Sequence, residues 1–163
     1  MQVPSSDVTG LLDCLVANEL PSGLEAWDSF LRAHATLMRR LEVDLARATG
    51  LALADFDVLA QLARAGGELR MTDLATRTLI SRSGMTRRVA RLVKEGLVRR
   101  ANTDTDAREV IVALTDAGVA RLTETAPVHL RGITELFVTR LNDRELAALE
   151  NALNKVIADC AFG

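Results

Sequence analysis

Residues 81–96, SRSGMTRRVARLVKEG, concentrate side chains suited to contact with a duplex nucleic acid. At roughly 100° per residue of helix, Met85, Val89, Leu92 and Val93 fall on one apolar stripe. Ser83, Arg87, Arg91 and Lys94 lie on the opposite side, with the small residues Gly84 and Ala90 between them. One face would anchor such a helix while the other enters a major groove, where an arginine bridges the O6 and N7 acceptors of guanine. Ser81, Arg82 and Thr86, with Thr72 on the preceding segment, add hydroxyls and a cation of the kind that bind phosphate oxygens. A basic helix face more often only meets water, so the neighbouring elements must decide between the two readings.

Charge distribution favours the first. The formal net charge is −2, yet residues 64–108 hold eleven Arg or Lys against five acids, and the rest of the chain holds nine basic residues against seventeen acidic ones. Phosphate attraction depends on the charge that faces the duplex, not on the total. The middle third is therefore the candidate DNA-facing surface.

Helical spacing over Leu24 to about Ala48, set by Leu24, Trp27, Leu31, Met38, Leu41 and Leu45, predicts an amphipathic helix stopped by Gly50. A second helix is expected from about Ala54 to Ala65, ended by Gly66-Gly67, and a short third one from Met71 to Leu79, capped by Thr72 or a neighbour. Ser81 is the expected N-cap of the basic helix, which Gly96 closes. The period then changes from helical to alternating. Leu97–Ala101 and Glu109–Leu114 read as strands around a polar tip at 102–107, with Val110, Val112 and Leu114 on one face. Thr115 is placed to cap a long helix reaching Leu141 and kinked near Pro127, and Asn142 with Glu145 has capping-box spacing ahead of a last helix carrying Leu146, Leu149, Leu153, Val156, Ile157 and Cys160. The expected fold is mainly α with a small β-hairpin wing. Residues 1–23 form an N-terminal extension, 24–50 and 115–163 flanking helices, and 51–114 a winged helix-turn-helix lobe.

In this context DAREVIVALT, residues 106–115, resembles the D-x-R-x5-L-T motif of the MarR family of transcriptional regulators, and LISRSGMTRRVARLVKEGLVRR precedes it as in that family. The similarity in element order runs from about Leu24 to Cys160. It implies a homodimer, held by the first helix and the last two of each subunit, that binds a pseudo-palindromic duplex, usually as a repressor. Arg108 would enter the minor groove, where the potential is enhanced, and Asp106 would orient it or a neighbouring arginine. Without the family, the same pair reads as an ordinary turn ion pair, worth about 0–1 kcal/mol. The resemblance also implies a small anionic or phenolic effector. Trp27, Asp57, Arg88 and Arg100 occupy places similar to those of the urate-responsive branch. Arg88, on the flank of its helix, has the position to reach an inward carboxylate such as Asp57.

Other chemistries find less support. There is no G-x-S-x-G, P-loop, HExxH or glycine-rich dinucleotide fingerprint, so no enzyme and no cofactor is expected. His34 and His129 stand apart, and two such ligands define no metal site. Cys14 offers a rival peroxide or thiol sensor, but no Lys or His near it in sequence would lower its pKa; it and Cys160 read as small apolar groups. A helical interaction protein that binds no DNA would leave the basic block at 64–108 unexplained. No run of about 18 apolar residues and no basic-then-apolar N-terminus appears, so the expected location is the cytoplasm, without membrane contact.

Overall fold

A computed structural model of the protein describes residues 23–78, 80–102 and 110–160. These comprise six α-helices and one small sheet: α1 Leu24–Thr49, α2 Leu53–Arg64, β1 Glu68–Arg70, α3 Met71–Arg77, α4 Arg82–Lys94, β2 Val98–Asn102, β3 Val110–Leu114, α5 Asp116–Leu136, a 3₁₀ turn Val138–Arg140, and α6 Asp143–Cys160. The chain divides into two compact units, residues 1–38 and 39–163, so that α1 contributes to both. In the first unit the rings of Trp27 and Phe30 lie 6.1 Å apart and those of Phe30 and His34 6.3 Å apart.

The second unit owes its order to one apolar cluster. Leu59 and Leu62 of α2, Leu74 of α3, Met85, Val89 and Leu92 of α4, and Val112 of β3 are all fully buried together with Leu45 at the end of α1. The helical and alternating periods thus converge on a common centre. Val93, expected on the apolar stripe of α4, lies at its edge and is exposed, as are Trp27, Leu31 and Met38 on α1.

The sheet has three antiparallel strands in the order β1-β3-β2, not two. Leu69 faces Val112 and Val98 faces Leu114 across the central strand. β1 is only three residues long, too short to show an alternating pattern. Its start is fixed by Gly66 and Gly67, both at positive φ, a region that costs a side chain energy but not glycine; the Gly67 carbonyl then accepts from the amide of Leu114 at 2.8 Å.

Several ends form as the sequence dictates. The Ser81 hydroxyl accepts from the amide of Gly84 at 3.2 Å. The Asn142 side chain accepts from the amide of Glu145 at 3.0 Å while the Glu145 carboxylate accepts from the amide of Asn142 at 2.9 Å. Other ends shift. α3 starts at Met71, so Thr72 lies in its first turn and is not its cap, and its Oγ1 points to the Asp73 carboxylate at 3.5 Å. α5 runs through Pro127 as one helix and stops at Leu136, where Phe137 leaves the helical region at φ −128° and a 3₁₀ turn carries the chain on. No helix among the described residues is long and apolar enough to cross a membrane.

Candidate nucleic-acid interface

The basic helix is built from its buried face outward. Met85, Val89 and Leu92 sit in the cluster with zero exposure, which fixes the rotation of α4 and turns Arg82, Ser83, Thr86, Arg87 and Lys94 to solvent. No carboxylate among the described residues pairs with Arg82, Arg87 or Lys94. Thr86 Oγ1 donates back to the Arg82 carbonyl at 3.0 Å, and Ser83 Oγ lies 3.4 Å from Ser81 Oγ. The helix therefore presents Arg87 and Lys94 with Ser83 on one side, and Arg82 open at its first position. Such a surface meets phosphates through charge and base edges through the arginine fork.

Arg91 is arranged differently from its expected place beside Arg87. Asp55 of α2 is 96% buried, and its carboxylate accepts from both Arg88 and Arg91 of α4: Oδ1 from Arg88 Nη1 at 2.7 Å, Oδ2 from Arg91 Nη2. Arg91 Nε also lies 3.9 Å from Glu95. The side-chain hydrogen bond to Asp55, then the charge of that carboxylate, holds the pKa of Arg91 above its ordinary value. Arg88 Nε is buried without a hydrogen-bond partner.

The carboxylate that meets Arg88 is thus Asp55 and not Asp57. Asp57 lies about 200° around α2 from Asp55, and its oxygen accepts from Gln61 Nε2 at 3.4 Å. A sign of this was present in the sequence: Asp55, Leu59 and Leu62 follow the i, i+4, i+7 spacing of a helix face, which puts Asp55 on the stripe that enters the core. Its arginine partners, 33 and 36 positions along the chain, carry no local signal.

The wing is tied to the same helix. Arg100 of β2 donates through Nη2 to the backbone carbonyl of Thr86 at 2.9 Å. The Thr115 hydroxyl donates to the Gly96 carbonyl at 2.6 Å and accepts from the amide of Gly118 at 3.0 Å. One side chain thereby joins the end of α4, the start of the wing and the start of α5. Gly118 packs so closely that a Cβ there would stand 2.0 Å from the Leu97 carbonyl oxygen.

Of the remaining sequence-derived candidates, Thr72 is exposed on α3, ahead of the turn into α4. Asp106 and Arg108 lie outside the described residues, as does Cys14. Trp27 belongs to the first unit and is 56% exposed, whereas Asp57, Arg88 and Arg100 belong to the second. No group of three His, Cys, Asp or Glu side chains suited to a metal ion occurs among the described residues. His129 of α5 packs its ring 4.5 Å from that of Phe56, its Nδ1 buried and unpartnered. Burial lowers its pKa, against the pull of Asp57 and with the push of Arg64.

Comparison with known proteins bears on this geometry. Residues 49–109 match the sequence model of the MarR family. The chain is 32% identical over 106 residues to a helix-turn-helix transcriptional regulator of Bacillus cereus, covering 65% of this chain and 69% of that one. In structure it resembles a MarR family transcriptional regulator from Streptomyces coelicolor solved in complex with DNA, with a TM-score of 0.77 and 32% identity over 82% of this chain and 84% of that one. It also resembles Bordetella bronchiseptica BpsR, whose DNA binding is regulated by 6-hydroxynicotinic acid, with a TM-score of 0.72 and 25% identity over 81% and 98% of the two chains.

Proposed function

Because the chain belongs to the MarR family of winged-helix transcriptional regulators, which bind DNA and are not enzymes, we propose that it acts as a homodimeric repressor on a pseudo-palindromic operator and is released by a small effector. The observation that carries the DNA reading is the rotation of α4. Its core residues leave Ser83, Arg87 and Lys94 as an open face beside the wing. Thr72, Ser81, Arg82, Ser83, Thr86, Arg87 and Lys94 form the proposed contact surface, with Asp106 and Arg108 at the wing. Arg91 stands apart, its guanidinium taken by Asp55.

The homodimer reading is supported by α6. Leu146, Leu149, Leu153, Val156 and Ile157 repeat at helical spacing, yet none of residues 143–158 is buried in the chain. Apolar stripes of this kind mark association surfaces, and a two-fold partner would set two reading helices in successive major grooves, about 34–36 Å apart.

An effector of anionic or aromatic type is the reading we favour for regulation, as in the urate-responsive branch of the family. Arg88 and Arg100 both reach α4, so a ligand that engages either would act on the reading helix. Such a ligand must bind the DNA-competent and incompetent states unequally to shift them. Calorimetric titration with urate, xanthine and simple aromatic carboxylates tests this; no heat with any of them removes the proposed class.

For the DNA reading, Arg87→Ala is expected to weaken binding to the operator more than to random duplex, by about 1–3 kcal/mol for a bidentate base contact. Equal losses on both duplexes in a gel-shift titration would place Arg87 on phosphate and not on a base.

A further inference from the structure

Arg87 and Arg91 are one helical turn apart on α4, and both are exposed, yet of the two only Arg91 is neutralised by a carboxylate among the described residues. Asp55 holds its Nη2 and Glu95 approaches its Nε. Asp55 can do this without losing its own compensation, because it has two oxygens and two arginines. Arg88, 25% exposed, stays on Oδ1 as the inner partner, whereas the side chain of Arg91, 50% exposed, occupies Oδ2 at the rim. A buried carboxylate with a single partner would be stranded if that partner left for a phosphate, at a large cost. With Arg88 in place, the outer arginine is the one whose position Asp55 can set. A free guanidinium at position 91 would reach the phosphates of any duplex, adding affinity without sequence information.

We propose that Asp55 is a positioning residue for DNA reading: it draws Arg91 back against the lobe, withholds that cation from the phosphates, and leaves Arg87 as the arginine of α4 that meets base edges. The proposal rests on the DNA-binding reading above and adds to it a carboxylate that never touches DNA.

The test is fluorescence anisotropy of the full-length protein on a 30-base-pair duplex of random sequence over a salt series. Each phosphate contact adds about 0.9 to the slope of log K against log salt. Asp55→Asn is expected to bind this duplex several-fold more tightly at low salt and to steepen the slope by about 0.9, as Arg91 becomes free. The double variant Asp55→Asn/Arg91→Ala loses that gain, and Asp55→Glu, which keeps the carboxylate, retains the wild-type slope. A purely structural Asp55 would weaken binding without steepening it. An unchanged slope in Asp55→Asn, with its circular dichroism and melting showing a folded protein, overturns the proposal. Where Asp55→Asn does not fold, Arg91→Ala decides alone: the wild-type slope supports the proposal, and a slope shallower by about 0.9 overturns it. Wild-type protein that fails to bind the duplex at any salt overturns the DNA-binding reading itself, a result distinct from an unchanged slope.

Discussion

The lobe from Leu51 to Leu114 and the last helix, Asp143–Cys160, are both amphipathic, but they use their apolar residues in opposite ways. The lobe places Val58, Leu59, Leu62, Leu74, Met85, Val89 and Leu92 at zero exposure within one chain, while Val156 and Ile157 of the last helix stay 60% and 65% exposed. The first is a folding unit whose burial is complete. The second has an apolar stripe, and none of residues 143–158 is buried, a state that a helix does not keep in water without cost. In the function proposed above, the geometry of each reading helix is set inside the protomer, and the spacing between two readers would be set by association.

This contrast can be broken at either end. Leu59→Ala is expected to cost about 2–5 kcal/mol in denaturant unfolding, as transfer and cavity terms add for a fully buried leucine. Ile157→Asp is expected instead to shift the protein from dimer to monomer in analytical ultracentrifugation while the lobe keeps its hydrogen-exchange protection. Lost protection throughout the lobe in Ile157→Asp would show that the two regions fold as one.

Gly118→Ala probes the seam where α5 leaves the lobe. The added methyl would meet the Leu97 backbone carbonyl, which is not the end of a flexible side chain, so a loss of about 1–3 kcal/mol is expected from overpacking. A melting temperature equal to wild type would mean that this close approach is not needed.

The smallest effect concerns pH. The pKa of His129 is lowered in the fold, chiefly by burial, so the unfolded chain binds the proton more readily than the native one. Stability is full above the ordinary histidine pKa of about 6.5 and declines as pH falls from there toward the depressed native value. His129→Phe should flatten the pH dependence of urea unfolding across that window, and an unaltered profile would assign the titration to other groups.

Much of the fold was legible in the sequence because its signals are local. Ser81, Thr115 and the Asn142/Glu145 pair act within three or four residues of themselves, and the change from helical to alternating period at Leu97 marks the wing. What was hidden depends on partners far along the chain. β1 is a three-residue strand defined only by its pairing with β3. The choice of Asp55 over Asp57 as the partner of Arg88 required reading α2 as a face, with Leu59 and Leu62 showing which aspartate turns inward. Arg91 looked equivalent to Arg87 for the same reason: on a helical wheel they differ by only about 40°, and it takes the buried carboxylate to separate them. The exposure of Trp27, Leu31 and Met38 on a helix with good apolar spacing shows the converse limit, since periodicity reports that a stripe exists and not what covers it.

The central claim, two copies of one reading helix acting together on a duplex, is tested most directly by selecting bound sequences from a randomised DNA pool with the full-length protein. The expected product is an inverted repeat with half-sites about 10–10.5 base pairs apart, centre to centre, or a multiple of that spacing. Recovery of a single unrepeated motif, or of no motif at all, would contradict it.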